Sequence, residues 1–264
     1  ADVGEVFSGC QQHDAVEFFE ALLSRARREE IRMERYGFWG GVQIDQQVAT
    51  HAERLFSFVL ETRRRCTCCA GQVRSWYSAE RVLRLQPRIV DGGLMTVTDM
   101  YMDFCGAVGG GEELYCPTCL RTTVHESQSR IAKASNILVV QMKRMEGMRP
   151  GVDVETQLEL PGLPVLGLVG VLYHDGPNFN TGHTCLCRGP KGRFWMYDDS
   201  KAVRIMDGEV AHIKPKQVYM LVYARREGDA LWQSGALLDE GDGSGRAERS
   251  GSKKGPAGLA FFRC

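Results

Sequence analysis

Two short cysteine knuckles, Cys66-Thr67-Cys68-Cys69 and Cys116-Pro117-Thr118-Cys119, constrain this chain more than any other feature. Each lets two thiolates reach one ion across a tight turn, and two knuckles complete a tetrahedral structural zinc site of the zinc-ribbon kind. The fold must then bring the knuckles together across the 46 residues between Cys69 and Cys116. Strand-like sequence adjoins both. The expected cofactor is one structural Zn on Cys66, Cys69, Cys116 and Cys119. Cys68 is a spare beside the ligand, and Cys105 lies outside knuckle spacing and reads as a buried or free thiol. Residues 1–30 begin acidic and polar without an apolar stretch of the signal-peptide kind. The ten cysteines therefore read as metal ligands or free thiols rather than a disulfide framework, and the expected address is intracellular, cytoplasm and/or nucleus.

With 33 basic and 33 acidic residues, composition points to no nucleic acid and no membrane as partner. No apolar run approaches the roughly 20 residues of a membrane-spanning helix. Residues 11–30 place Ala15, Val16, Phe18, Phe19, Leu22, Leu23 and Ala26 in one stripe of an amphipathic helix, with Asp14 at its start. Strands are expected at 55–60, 80–86, 136–145, 157–160, 165–173 and 217–225, and a short helix at 97–104. A helix followed by many strands, without regular βα alternation, reads as α+β with an antiparallel sheet. From Glu227 the sequence turns to Gly, Ser, Lys, Asp and Glu and is expected to be a disordered tail over 227–264. The chain starts at Ala1 rather than Met, which suggests a fragment.

The segment from His183 to Asp199 reads as one hairpin. Gly189-Pro190-Lys191-Gly192 is the turn signal, and β-rich residues flank it. With those four residues as the loop, Arg188 pairs with Arg193 and the count sets His183 opposite Asp198. Cross-strand Cβ atoms are about 4.5–5.5 Å apart, close enough for a carboxylate to hold an imidazole in one tautomer. A histidine oriented by an acid is two-thirds of a nucleophile–His–acid arrangement. Asp199 competes for the acid's place, because a one-residue change of register exchanges the two.

Five ordered motifs resemble the ubiquitin-specific protease family of cysteine deubiquitinases. Gln12-His13-Asp14-Ala15-Val16-Glu17-Phe18 is similar to its Gln-x-Asp-Ala-x-Glu-Phe box, and the two knuckles to its zinc-binding fingers. Residues 137–144, ending Lys143-Arg144, resemble its Lys-Arg strand. Tyr173-His174-Asp175-Gly176, Gly182-His183, Trp195 and Tyr197-Asp198-Asp199-Ser200 resemble its histidine box. Tyr219-Met220-Leu221-Val222-Tyr223 resembles its closing strand. The resemblance implies a papain-like cysteine-protease fold truncated at its N-terminus, with a helical thumb remnant, an antiparallel β palm and zinc-ribbon fingers at about 55–135, all within residues 1–226. It implies a thiol hydrolase cleaving (iso)peptide bonds after the C-terminal Gly of ubiquitin, with ubiquitin or ubiquitinated proteins as partners. His183 would be the general base, Asp198 or Asp199 its orienting acid, and Gln12 and Asp14 would bind substrate near the two arginines of ubiquitin's tail. Asp14 as a plain helix cap is the alternative.

One departure bears on the chemistry. The family's nucleophilic Cys lies upstream of the Gln box, and Cys10 lacks the helix-N-terminal setting that lowers a thiol pKa. The chain by itself is therefore expected to be inactive. A non-catalytic ubiquitin-binding relative and an unrelated zinc-ribbon binding protein are the competing readings.

Overall fold

The computed structural model describes residues 7, 13–36, 50–69, 73–91, 93–106, 109–144, 150–174, 183–189, 193–198, 201–205 and 214–225. The expected tail, Cys10, Gln12 and Asp199 lie outside them.

Helix α1 (Ala15–Tyr36) begins where the stripe predicts, and α2 (His51–Phe56) lies against it. Thr50 caps α2, its hydroxyl accepting from the Glu53 amide while the Glu53 carboxylate accepts from the Thr50 amide. This Thr-x-x-Glu box overrides the strand expected at 55–60: the helix runs to Phe56 and β1 starts only at Phe58. Glu30 of α1 accepts from the His51 and Ala52 amides, and Arg27 pairs with Glu53 at 2.8 Å, so the two helices lock at their polar edges.

From β1 (Phe58–Cys66) the chain continues through β2 (Arg74–Glu80), β3 (Val82–Leu85), β4 (Met95–Thr96), α3 (Val97–Gly106), β5 (Gly109–Cys116) and β6 (Arg121–Lys133). Then come β7 (Ile137–Met142), β8 (Val152–Asp153), β9 (Gln157–Leu158), β10 (Leu166–His174), β11 (His183–Arg188), β12 (Phe194–Asp198), β13 (Lys201–Ile205) and, after a 3₁₀ turn, β14 (Val218–Arg225). β2, β1, β6 and β5 form an antiparallel four-stranded sheet with both knuckles at one end. The larger sheet runs β13-β12-β11-β10-β14-β7-β3, with β9 on β10; only its β3–β7 pair is parallel. A helix-plus-antiparallel-sheet architecture is thus what forms.

The central strands β10, β14 and β7 are buried on both faces. On one side Leu85, Leu138, Val140, Leu166, Leu221 and Tyr223 belong to the main core. On the other, Val139, Leu172, Cys185 and Met220 meet Val16 of α1. Alternation along a strand makes that division. It fails at two places: Leu168 pairs with Tyr223 but Gly170 with Val222, so Val169 is an extra residue in β10, and a second shift lies further along. Leu172 pairs with Met220 but Tyr173 with Val218, so Tyr219 is an extra residue in β14. The bulge turns two consecutive side chains, Tyr219 and Met220, toward α1. Among the described residues no helix is long and apolar enough to cross a membrane.

Candidate active site and metal centre

The bulge brings Tyr219 to the start of α1. Its hydroxyl donates to Asp14 Oδ2 and accepts from Gln141 Nε2 of β7 at 2.9 Å. Asp14 Oδ1 accepts from the Val16 and Glu17 amides at 2.8 and 3.0 Å, the N-cap bonds of α1. Asp14 is therefore a cap with both oxygens engaged, three of a carboxylate's about four acceptor sites being taken.

Beside this cap lie two histidines. The β10–β11 register sets His174 directly opposite His183, with ring centroids 5.1 Å apart, and the Tyr219 ring is 5.9 Å from each. Nε2 of His183 is buried and has no hydrogen-bond partner among the described residues. Burial, and then the neighbouring His174, push the His183 pKa below its ordinary value, while the charge of Asp14 acts the other way. A neutral imidazole with a free ring nitrogen is what a general base requires. Sequence reasoning gave His174 little weight and no role to Tyr219 or Gln141. The polar Gln141 in an apolar strand was a readable signal; the bulge that aims Tyr219 was not.

The hairpin register corrects the count from the sequence. The Gly189 amide donates to the Arg193 carbonyl at 2.7 Å, Arg188 pairs with Phe194, and Cys185 pairs with Tyr197. That register is one residue out of step with a four-residue loop. Gly189, just past the end of β11, sits under the Trp195 indole, where a Cβ would come within 2.8 Å of the ring. His183 and Cys185 share the α1 side of the sheet, and Tyr197 with them; Asp198 lies on the other face and pairs with Lys201 of β13. The expected pairing of His183 with Asp198 is therefore not formed. Gln12 and Asp199 lie outside the described residues.

At the far end of the smaller sheet the knuckles meet. The sulfurs of Cys66, Cys69, Cys116 and Cys119 all lie within 4.8 Å of one another, with Cys66–Cys119 at 3.8 Å and Cys69–Cys116 at 3.7 Å. A tetrahedral ion with Zn–S bonds of about 2.3 Å separates its sulfurs by about 3.8 Å. The donor set fits zinc. The Thr123 hydroxyl, 3.1 Å from its sulfur, brings the Cys66 pKa down to about 5, whereas Cys119, bonded by Cys69, rises to about 12. Four crowded thiols do not all ionise unless a cation compensates them. Cys68 is exposed beside Arg121, and Cys105 packs at the edge of the main core.

The family model of the ubiquitin carboxyl-terminal hydrolases matches residues 1–223. The chain belongs to that family. It is 19% identical over 237 residues to ubiquitin carboxyl-terminal hydrolase 25 of Arabidopsis thaliana, covering 84% of this chain and 34% of that protein. In structure it is similar to a chain of the SAGA Ubp8/Sgf11/Sus1/Sgf73 DUB module bound to ubiquitin aldehyde, with a TM-score of 0.68, 18% identity, and coverage of 84% of this chain and 51% of that one. The same module bound to monoubiquitin gives 0.64, 21%, 85% and 51%. The chain thus spans about a third of that curated relative and about half of these structures. The fold is that of ubiquitin-specific proteases, and with the family shown the reading as an unrelated zinc-ribbon protein has no support.

Proposed function

We propose that this chain carries the histidine side of a cysteine-type deubiquitinase that cleaves (iso)peptide bonds after the C-terminal Gly of ubiquitin. The observation that carries this reading is His183, uncharged by burial, its Nε2 free, next to the capped start of α1. In the mechanism His183 takes the proton of a nucleophilic thiol and returns it to the leaving amine. The acid that orients it comes from Asp198-Asp199. The register leaves Asp198 on the wrong face, which favours Asp199. Burial, with His174 adding to it, disfavours the charged imidazole, and Tyr219 and Asp14 fix the helix start beside it.

An open cleft of about 620 Å³ adjoins α1, its charged lining Glu17, Glu20, Glu53, Glu80 and Arg81, the last 3.7 Å from Glu53. Glu20 and Glu53 are paired with Arg84 and Arg27, so Glu17 and Glu80 are the better candidates for the arginines of ubiquitin's tail. The likeness to modules bound to ubiquitin supports ubiquitin as the partner. Zinc on the four cysteines holds the knuckles together and supplies no chemistry to His183.

The reading assigns no nucleophile within these 264 residues. The chain should bind ubiquitin by calorimetry yet form no adduct with a ubiquitin C-terminal electrophile. Glu17→Gln should weaken binding by about tenfold, or about 1.4 kcal/mol. Absence of ubiquitin binding would defeat the reading; an adduct lost in Cys10→Ser would move the nucleophile into this chain.

A further inference from the structure

β11 carries a second sulfur pair. Cys185 and Cys187 are two apart, so both project on the α1 side of the sheet, the side of His183. Their sulfurs stand 3.9 Å apart, close to the 3.7 and 3.8 Å of the ligand pairs in the fingers. Cys185 is buried, while Cys187 is half-buried between Gly170 of β10, which puts no side chain beside it, and Trp195 of β12. The hydrogen bond with Cys187, and then burial, raise the Cys185 thiol, and the same bond lowers Cys187, so one sulfur of the pair is the readier nucleophile.

A disulfide does not suit this pair. Alternate residues of a regular strand have Cα atoms about 6.6 Å apart, at the upper limit of disulfide geometry, and β11 pairs without a bulge. A chelate that spans both sulfurs needs no such contraction. Soft thiolates select thiophilic centres, and the pair presents two of them on one rigid strand.

We propose that Cys185 and Cys187 form a dithiol site that captures a thiophilic metal ion or trivalent metalloid, distinct from the four-cysteine cluster. A monosubstituted arsenical is its simplest ligand. With phenylarsine oxide both S–H bonds break, two As–S bonds form, and the oxygen leaves with both protons as water; arsenic stays trivalent and nothing is oxidised. The site abuts Ala15 and Val16 at the start of α1, so an occupant presses on the segment that Asp14 caps. The proposal rests on the geometry of β11 alone and stands or falls apart from the hydrolase reading.

The test uses the full chain loaded with zinc, exposed to phenylarsine oxide in excess monothiol, so that isolated cysteines do not retain the label. Intact mass should show one arsenical per chain, peptide mapping should place it on residues 183–188, and zinc content should be unchanged. A small dithiol should remove it where monothiol does not. Cys187→Ser and Cys187→Ala should both lose the label while keeping the circular dichroism and the cooperative denaturant unfolding of the parent, which shows that they are folded; Cys116→Ser should keep it. Label on the knuckle peptides with zinc released, or equal labelling of Cys187→Ser and the parent, would overturn the proposal.

Discussion

His183 is held where a proton is unwelcome. Burial and His174 lower its pKa, so the folded protein binds a proton less readily than the unfolded chain. Stability from this group is complete above the ordinary value of 6.5 and declines as the pH falls below it. NMR titration of the imidazole resonances should give His183 a midpoint below 6.5, and His174→Asn should raise that midpoint. An unmoved midpoint would show that burial alone sets it. The acid partner is decided at the same scale. In a form of the protein that turns over substrate, Asp199→Asn should cost several orders of magnitude in kcat, by the tautomer argument for His-orienting carboxylates. Asp198→Asn should cost much less. The reverse order, which the four-residue loop predicts, would mean that the turn re-registers when substrate binds.

Elements were legible where a local rule governed them, and obscure where a distant contact did. The stripe from Ala15 to Ala26 and the two knuckles announce α1 and the metal centre, because helical period and ligand spacing are local properties. The start of the strand expected at 55–60 was misread, because a Thr-x-x-Glu cap outranks a short alternating run, while residues 58–60 do open β1. The strands of the fingers were read only as strand-like sequence beside the knuckles; their extents were not, because charged residues such as Glu61, Arg63, Glu126 and Arg130 interrupt the apolar pattern of β1 and β6. Glu61 shows why such a sheet holds. It is buried in β1, with Arg63 Nε at 3.0 Å, Arg130 Nε at 2.7 Å, and the Ser75 and Tyr77 hydroxyls within 3.3 Å. These donors, Arg63 first, bring its pKa down to about 2. Its contribution to stability is present above the ordinary 4.5 and is lost as the pH falls through about 2. Glu61→Gln should flatten the acid limb of unfolding, followed by circular dichroism between those values. The metal acts on the same element. Metal analysis should find about one zinc per chain; Cys116→Ser should lose it and make the fingers protease-labile, while Cys105→Ser should keep it.

For the whole molecule the decisive link is the one that joins the first helix to the last strand. Asp14 and Tyr219 are 205 residues apart in sequence, and their hydrogen bond fastens the start of α1 onto β14, with Gln141 of β7 completing the chain of donors. The sequence shows each of these residues inside a motif but not their junction. It depends on a bulge that adds one residue to β14, and nothing in the local pattern marks where two strands lose step. Removing the hydroxyl leaves a partly buried carboxylate oxygen and an amide without their partner, and a lost bond to a charged group costs about 1.5–3 kcal/mol. Tyr219→Phe keeps the ring and its packing, so the change isolates the link. Denaturant unfolding should show a loss of about 2 kcal/mol. Hydrogen exchange should quicken at the amides of Val16 to Phe19 and stay unchanged in β1 and β6, because the fingers do not depend on this junction. If exchange rises equally in the fingers, the two sheets unfold as one unit and α1 is not separately latched; if it rises nowhere, the cap formed by Asp14 is sufficient without Tyr219.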